Sequence, residues 1–184
     1  METKLDILRR YFGYTSFRRG QEEIVDALLT GRDALCVMPT GAGKSVCYQV
    51  PALLLPGITL VISPLISLMK DQVESLTQAG VHAAYLNNSL TPAQYSRALH
   101  NLSEGLYKLV YVAPERLSTE NFRTAVENLN ISLIAVDEAH CVSQWGQDFR
   151  PDYLKIAEFA ESLKNRPTIG AFTATATKAV RKDI

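Results

Sequence analysis

Short runs of β-branched and aliphatic residues recur along the chain, separated by stretches of helix length. Residues 34–38, 58–62, 81–86, 108–112, 131–136 and 168–172 read as strands. Several are apolar at successive positions rather than at alternate ones, as in strands that helices cover on both faces of a parallel sheet. The intervening segments complete repeated βαβ units, so the pattern predicts an α/β fold with an open, doubly wound, mainly parallel sheet. Two helices, 4–11 and 18–29, precede the first strand, and the loop between them is the aromatic-rich Phe12-Gly13-Tyr14-Thr15-Ser16-Phe17.

Helix starts are marked by local chemistry. Ser63-Pro64 follows the second strand and reads as an N-cap with proline at the first helical position. Thr91-Pro92-Ala93-Gln94 has the form of a capping box, and Ala113-Pro114-Glu115 repeats the strand–proline–acid pattern. In a doubly wound sheet these N-termini gather at the carboxyl ends of the strands, an edge rich in free N–H donors and suited to phosphate.

Composition narrows the class without naming the chemistry. A chain of 184 residues with 47% apolar and 21% charged residues builds a globular core, which excludes disorder and coiled coil. Nineteen basic residues balance nineteen acidic ones. That balance argues against coating of nucleic acid by net charge, but leaves room for a local track. Cys36, Cys47 and Cys141 show no paired spacing and read as reduced, buried thiols; no metal-ligand spacing joins them to a histidine, so zinc is not expected. The apolar stretch 50–62 is broken by Pro51, Pro56 and Gly57 and is too short to span a bilayer. The opening residues carry no apolar signal core. A soluble cytoplasmic protein is expected, nucleoid-associated in a bacterial source.

The first strand runs into Met38-Pro39-Thr40-Gly41-Ala42-Gly43-Lys44-Ser45, which fits G-x-x-x-x-G-K-[ST] except for methionine at its first position. Gly41 and Gly43 let the backbone of Thr40, Ala42 and their neighbours wrap a phosphate chain. Lys44 would reach the β- and γ-phosphates, and the Ser45 hydroxyl would ligate Mg²⁺. The fifth strand ends in Asp137-Glu138-Ala139-His140. Asp137 can hold the same Mg²⁺, and Glu138, pointing the other way, can orient or deprotonate an attacking water. A nucleotide triphosphate is therefore expected. His82 and His100 have no comparable context.

Phosphate loop and D-E-A-H together resemble the first RecA-like motor domain of superfamily-two helicases. Further segments resemble the RecQ DNA helicases in particular. Phe12-Gly13-Tyr14 with Phe17-Arg18-Arg19-Gly20-Gln21 is similar to that family's adenine-recognition element, which implies that Gln21 pairs with the adenine edge while Tyr14 and Arg18 sandwich the ring. On residues alone this segment reads equally as an amphipathic cover helix. Ser143-Gln144-Trp145-Gly146-Gln147-Asp148-Phe149-Arg150-Pro151-Asp152-Tyr153 resembles the family's aromatic-rich loop. Trp145 and Phe149 can stack on bases of single-stranded DNA, and Arg150 can take a phosphate or report DNA occupancy to the acidic site. The chain carries Gln147 where the family usually has histidine. Residues 63–72 resemble motif Ia, which makes Ser63 and Lys70 candidate DNA contacts, and 113–117 a later DNA-side motif with Arg116. Thr173-Ala174-Thr175 resembles motif III, whose hydroxyls link the acidic site, through His140, to DNA-induced motion.

The resemblance implies a division at residue 30, with the adenine-recognition element over 1–30 and the motor domain over 31–184. It also implies the N-terminal lobe of a longer helicase that couples hydrolysis of ATP, with Mg²⁺, to 3′-to-5′ unwinding in recombination and repair. Its partners would be single-stranded DNA, duplex junctions and a second RecA-like domain. A lone lobe is expected to bind ATP weakly, hydrolyse it slowly and unwind nothing. Two alternatives are another P-loop hydrolase and a short nucleic-acid-binding protein with a vestigial ATP site. No N-K-x-D guanine motif occurs to support a GTPase.

Overall fold

The computed structural model describes residues 2–146 and 148–184; Gln147 lies outside the described residues. Six parallel strands, β1 (Ala34–Val37), β2 (Ile58–Ile62), β3 (Ala83–Leu86), β4 (Leu109–Val112), β5 (Ile131–Val136) and β6 (Thr168–Thr173), form one sheet in the order β1-β6-β5-β2-β4-β3. The two central strands, β2 and β5, are buried almost throughout, in keeping with their unbroken apolar runs. Core side chains pack on both faces. Ile62, Val110 and Ile134 point to one face, and Val61, Tyr111, Leu133 and Phe172 to the other.

The crossovers are α3 (Lys44–Leu54), α4 (Ile66–Gln78), α5 (Pro92–Ser103), α6 (Glu120–Val126) and α7 (Lys155–Ser162), with α8 (Lys178–Asp183) after β6. The capping box at Thr91 forms as expected: its hydroxyl accepts from the Gln94 N–H while the Gln94 side chain accepts from the Thr91 N–H. α1 (Lys4–Phe12) and α2 (Gln21–Leu29) pack onto α3 through Ile7, Leu8, Val25, Val46 and Val50, so the helical preface shares a core with the helix that follows the glycine-rich loop. No helix of the described residues is long and apolar enough to cross a membrane.

Several boundaries differ from the sequence reading, three of them at helix starts. α2 begins at Gln21 rather than at residue 18, because Gly20 sits at φ 83 and ends the loop in a left-handed turn. α4 begins at Ile66 with Leu65 as N-cap, so Ser63 and Pro64 are neither cap nor first turn. There the Ser63 N–H still donates to the Val112 carbonyl at 3.2 Å, extending the β2–β4 ladder by one residue. Pro114 opens a 3₁₀ turn, Pro114–Ser118, rather than an α-helix.

Candidate nucleotide site and its link to an aromatic loop

β1 delivers the glycine-rich loop and α3 starts on Lys44. Gly41 and Gly43 take φ of 80 and 85, a region in which a side chain is strained. Gly43 has a second reason to be glycine: the Gln21 amide fills the space a Cβ would need. Lys44 Nζ donates to the Met38 carbonyl at 3.2 Å, which holds the ammonium across the loop's mouth. A cavity of about 250 Å³ is bounded by Thr40, Lys44, Ser45, Asp137 and Glu138. The fold thus joins the lysine, the hydroxyl and both carboxylates in one space, although the two motifs are far apart in sequence. Ala42 stands apart from it, its N–H donating back to the Pro39 carbonyl at 3.1 Å.

A smaller cavity of about 140 Å³ adjoins it, lined by Tyr14, Arg18, Gln21, Gly41 and Gly43. Gln21 is buried, its Oε1 accepting from the Arg18 N–H at 2.8 Å. Its Nε2 donates to the carbonyls of Ala42 and Gly43 at 3.2 and 3.1 Å. The Arg18 guanidinium donates to the Gly41 carbonyl at 2.9 Å and lies 5.9 Å from the Tyr14 ring centroid. The preface therefore grips the phosphate loop directly. A planar base held between Tyr14 and Arg18 requires the two to part.

Asp137 ends β5 and is 7% exposed. Desolvation, reinforced by the neighbouring Glu138 charge, raises its pKa to about 6. A buried carboxylate so placed is completed by a cation, which fits a divalent ion shared with Ser45. The sign follows from the raised value: between the ordinary 3.8 and about 6 the folded chain keeps a proton that the unfolded chain has lost, so fold stability declines as pH rises across that window. Mg²⁺ needs the ionised carboxylate. Its nucleotide-dependent binding is therefore expected to weaken as pH falls through about 6, measured by titration calorimetry from about pH 5 to about pH 8, and Asp137→Asn should weaken binding and flatten the profile.

Glu138 is the one non-glycine described residue at positive φ, 49. Such a conformation costs on the order of 1–3 kcal/mol and is held here by neighbours. Its own N–H donates to Asp137 Oδ1 at 3.0 Å, and the buried Tyr153 hydroxyl donates to the Asp137 carbonyl at 2.8 Å. His140 Nδ1 lies 2.8 Å from Thr173 Oγ1 and 3.3 Å from Glu138 Oε2. Because the Thr173 hydroxyl donates to the Thr175 carbonyl at 2.9 Å, it accepts from the imidazole, which assigns the proton to Nδ1. The acidic motif and Thr173-Ala174-Thr175 are thus in direct hydrogen-bond contact, as the sequence reading expected.

The candidate DNA residues divide. Trp145 is 79% exposed, the largest value among the exposed large apolar side chains. Phe149 and Arg150 are half-buried, and Arg150 pairs with Asp148 at 3.2 Å. Arg116 stacks over the Tyr95 ring at 4.7 Å and donates to Asn88. Lys70 is solvated, with Glu74 one helical turn away at 3.8 Å. Ser63 is 2% exposed and its hydroxyl accepts from the Leu65 N–H at 3.4 Å, so in this structure it does not face solvent.

Two features escaped the sequence reading. Tyr153, the last residue of the aromatic loop, anchors the acidic motif through its hydroxyl. Gln49 is buried in α3, its Nε2 donating to the Tyr111 hydroxyl at 2.9 Å and to Gln72 Oε1 at 2.8 Å. That bridge ties the helix after the phosphate loop to α4, whose Gln72 also lines the larger cavity. A glutamine inside the apolar run Val46-Cys47-Tyr48-Gln49-Val50 was the available signal.

A family model for DEAD/DEAH box helicases matches residues 18–183. The chain belongs to the DEAD/DEAH box helicase family. It is 51% identical over 183 residues to the ATP-dependent DNA helicase RecQ of Pasteurella multocida, and 50% identical over 179 residues to that of Bacillus subtilis. Those matches cover 100% and 97% of this chain but 29% and 30% of the relatives, so the chain spans less than a third of their length. Among solved structures, the DUF1998 helicase MrfA bound to DNA matches all of this chain and 28% of its own at TM-score 0.77 and 16% identity. A hypothetical ATP-dependent RNA helicase from Sulfolobus tokodaii matches all of this chain and 54% of its own at TM-score 0.74 and 22% identity. At such identities the likeness shows the RecA-like fold alone. Within the matched residues the chain reads Asp137-Glu138-Ala139-His140, and the first two of these line the larger cavity.

Proposed function

We propose that this chain is the ATP-binding first motor lobe of a RecQ-type DNA helicase, with residues 1–30 reading the base and 31–184 handling phosphates and DNA. The observation that carries the reading is the continuous path from Lys44 and Ser45, across Asp137 and Glu138, through His140 to Thr173. Lys44 and the loop N–H groups hold the triphosphate, and Ser45 with Asp137 would hold Mg²⁺. When bound, that ion supplies charge neutralisation between the phosphates. Glu138, strained into position beside the cavity, orients and deprotonates the water. His140 would pass changes at Glu138 to Thr173 through its imidazole, and to the loop bearing Trp145, Phe149 and Arg150 through the Ser143 N–H bond to its carbonyl.

Single-stranded DNA would stack on Trp145, with Phe149 and Arg150 on the same loop, while Arg116, on the turn after β4, and Lys70, on α4, would be phosphate contacts farther along the strand edge. Duplex junctions, a second RecA-like lobe closing over the nucleotide, 3′-to-5′ polarity, a role in recombination and repair, and a cytoplasmic setting follow from likeness to the RecQ helicases. The exposed tryptophan and the charge-balanced surface favour stacking over electrostatic coating.

Base recognition tests the reading against other P-loop hydrolases. ATP is expected to bind more tightly than GTP, and Gln21→Ala to remove most of that preference. Competition against a fluorescent ATP analogue measures both. Equal binding of the two nucleotides, with Gln21→Ala silent, would favour a different hydrolase.

A further inference from the structure

Behind the acidic motif lies a cluster that nucleotide chemistry does not use in full. His140, Cys141 and Asp148 each bring one ligand atom to within 4.8 Å of the others. The first two sit on the 3₁₀ turn Ala139–Val142, and the aromatic loop folds back to deliver the third. That return is fixed by backbone bonds: Ser143 N–H to the His140 carbonyl at 3.2 Å, Gly146 N–H to that of Ser143 at 3.0 Å, and Arg150 N–H to that of Cys141 at 2.9 Å. A Cβ on Gly146 would stand 2.9 Å from the His140 carbonyl oxygen, closer than side chains pack, so glycine there is part of the construction.

The three groups have complementary ligand chemistry: with the His140 Nδ1–H given to Thr173, the lone pair free for a metal is that of Nε2. The Cys141 thiol reaches Asp148 Oδ2 only at 3.8 Å, a long sulfur contact. Arg150 meets the same carboxylate oxygen through Nε and a terminal nitrogen, at 3.3 and 3.2 Å. A nitrogen, a sulfur and an oxygen within 4.8 Å of one another are the donor types of a tetrahedral borderline-soft ion with one open position, and a closure of about 1 Å would bring them to bonding distance. They do not match Mg²⁺, which prefers an octahedron of oxygens.

We propose that His140, Cys141 and Asp148 bind one thiophilic divalent cation of the Zn²⁺ class, with water in the fourth position. The Cys141 S–H bond breaks as the sulfur–metal bond forms, and the proton leaves to solvent. The expectation of no zinc rested on sequence spacing, whereas this set is assembled by the fold of the loop. An occupied site would pin the segment carrying Trp145 to the turn carrying His140. Binding itself does not depend on how that loop meets DNA.

Co²⁺ is the probe. Titrated into the 184-residue chain with a non-thiol reductant, it should give a thiolate-to-cobalt charge-transfer band that saturates at one equivalent, is bleached by Zn²⁺ and is unmoved by excess Mg²⁺. Cys141→Ser should abolish the band. Asp148→Asn, at an exposed position, should weaken Co²⁺ binding roughly 10- to 100-fold while leaving the metal-free thermal melt unchanged. Absence of the band in the wild-type chain would overturn the site. So would a band that survives Cys141→Ser, which would move the thiolate to Cys36 or Cys47, or an affinity indifferent to Asp148→Asn.

Discussion

Glu138→Gln is expected to bind Mg·ATP about as well as the unaltered protein and to lose hydrolysis by roughly 10²–10⁴-fold, the usual contribution of a positioned general base. The amide keeps the size and approximate polarity of the side chain but cannot take the proton from water. Lys44→Ala is expected to differ in kind. Removing the ammonium that spans the mouth of the loop takes away the charge facing the β- and γ-phosphates, so binding and hydrolysis fall together. Equilibrium binding set beside single-turnover hydrolysis separates the two. Wild-type hydrolysis in Glu138→Gln would remove this residue from the chemistry and pass the role to another group.

The second large effect is expected at the aromatic loop. Trp145→Ala should weaken single-stranded DNA binding by roughly 1–3 kcal/mol for each base it stacks, about 5- to 150-fold, with little change in stability because the ring is exposed. Intrinsic tryptophan fluorescence gives the same test without mutation, since Trp145 is the single tryptophan of the chain. Its emission should respond to single-stranded DNA in a helicase that contains this lobe. Thr173→Val supplies the contrast. It should leave DNA and ATP binding intact while reducing the acceleration of hydrolysis by DNA, because the His140 Nδ1–H loses its acceptor at 2.8 Å. Unchanged DNA affinity in Trp145→Ala would relocate the platform to another part of the strand edge.

Much of this is legible in the sequence, because the signals are local. β2 and β5 match the expected 58–62 and 131–136, since unbroken apolar runs leave little freedom of assignment. The glycine-rich loop and D-E-A-H were found as strings, and the alternation of strand and helix was enough to place both at one edge. The pairing of His140 with Thr173 was expected from likeness to known helicases, because nothing in spacing brings residues 33 apart into contact.

The misreadings share a cause: tertiary partners decided what local propensity left open. Ser63-Pro64 looks like a helix start, yet the sheet keeps Ser63 extended by pairing its N–H with Val112, and the helix waits for Ile66. The third strand begins at Ala83 rather than at 81, because the Val81 N–H donates to the Leu76 carbonyl and closes the end of α4. Gln49, Gln72 and Tyr153 are ordinary polar letters in sequence. Their roles arise from meeting Tyr111 and Asp137 across the fold. The His140–Cys141–Asp148 cluster is invisible to spacing rules for the same reason.

The measurement that bears most directly on the reading as one lobe of a two-lobe motor is hydrolysis of Mg·ATP by the 184-residue chain, with and without single-stranded DNA, using Lys44→Ala as the blank. ATP binding that depends on Lys44, together with slow hydrolysis that DNA does not raise, is the expected result. In nucleotide hydrolases of this kind an arginine supplied from outside the phosphate site is worth roughly 10³–10⁵ in rate. Fast, DNA-stimulated hydrolysis abolished by Lys44→Ala would contradict the account, since the chain would then complete the catalytic site by itself.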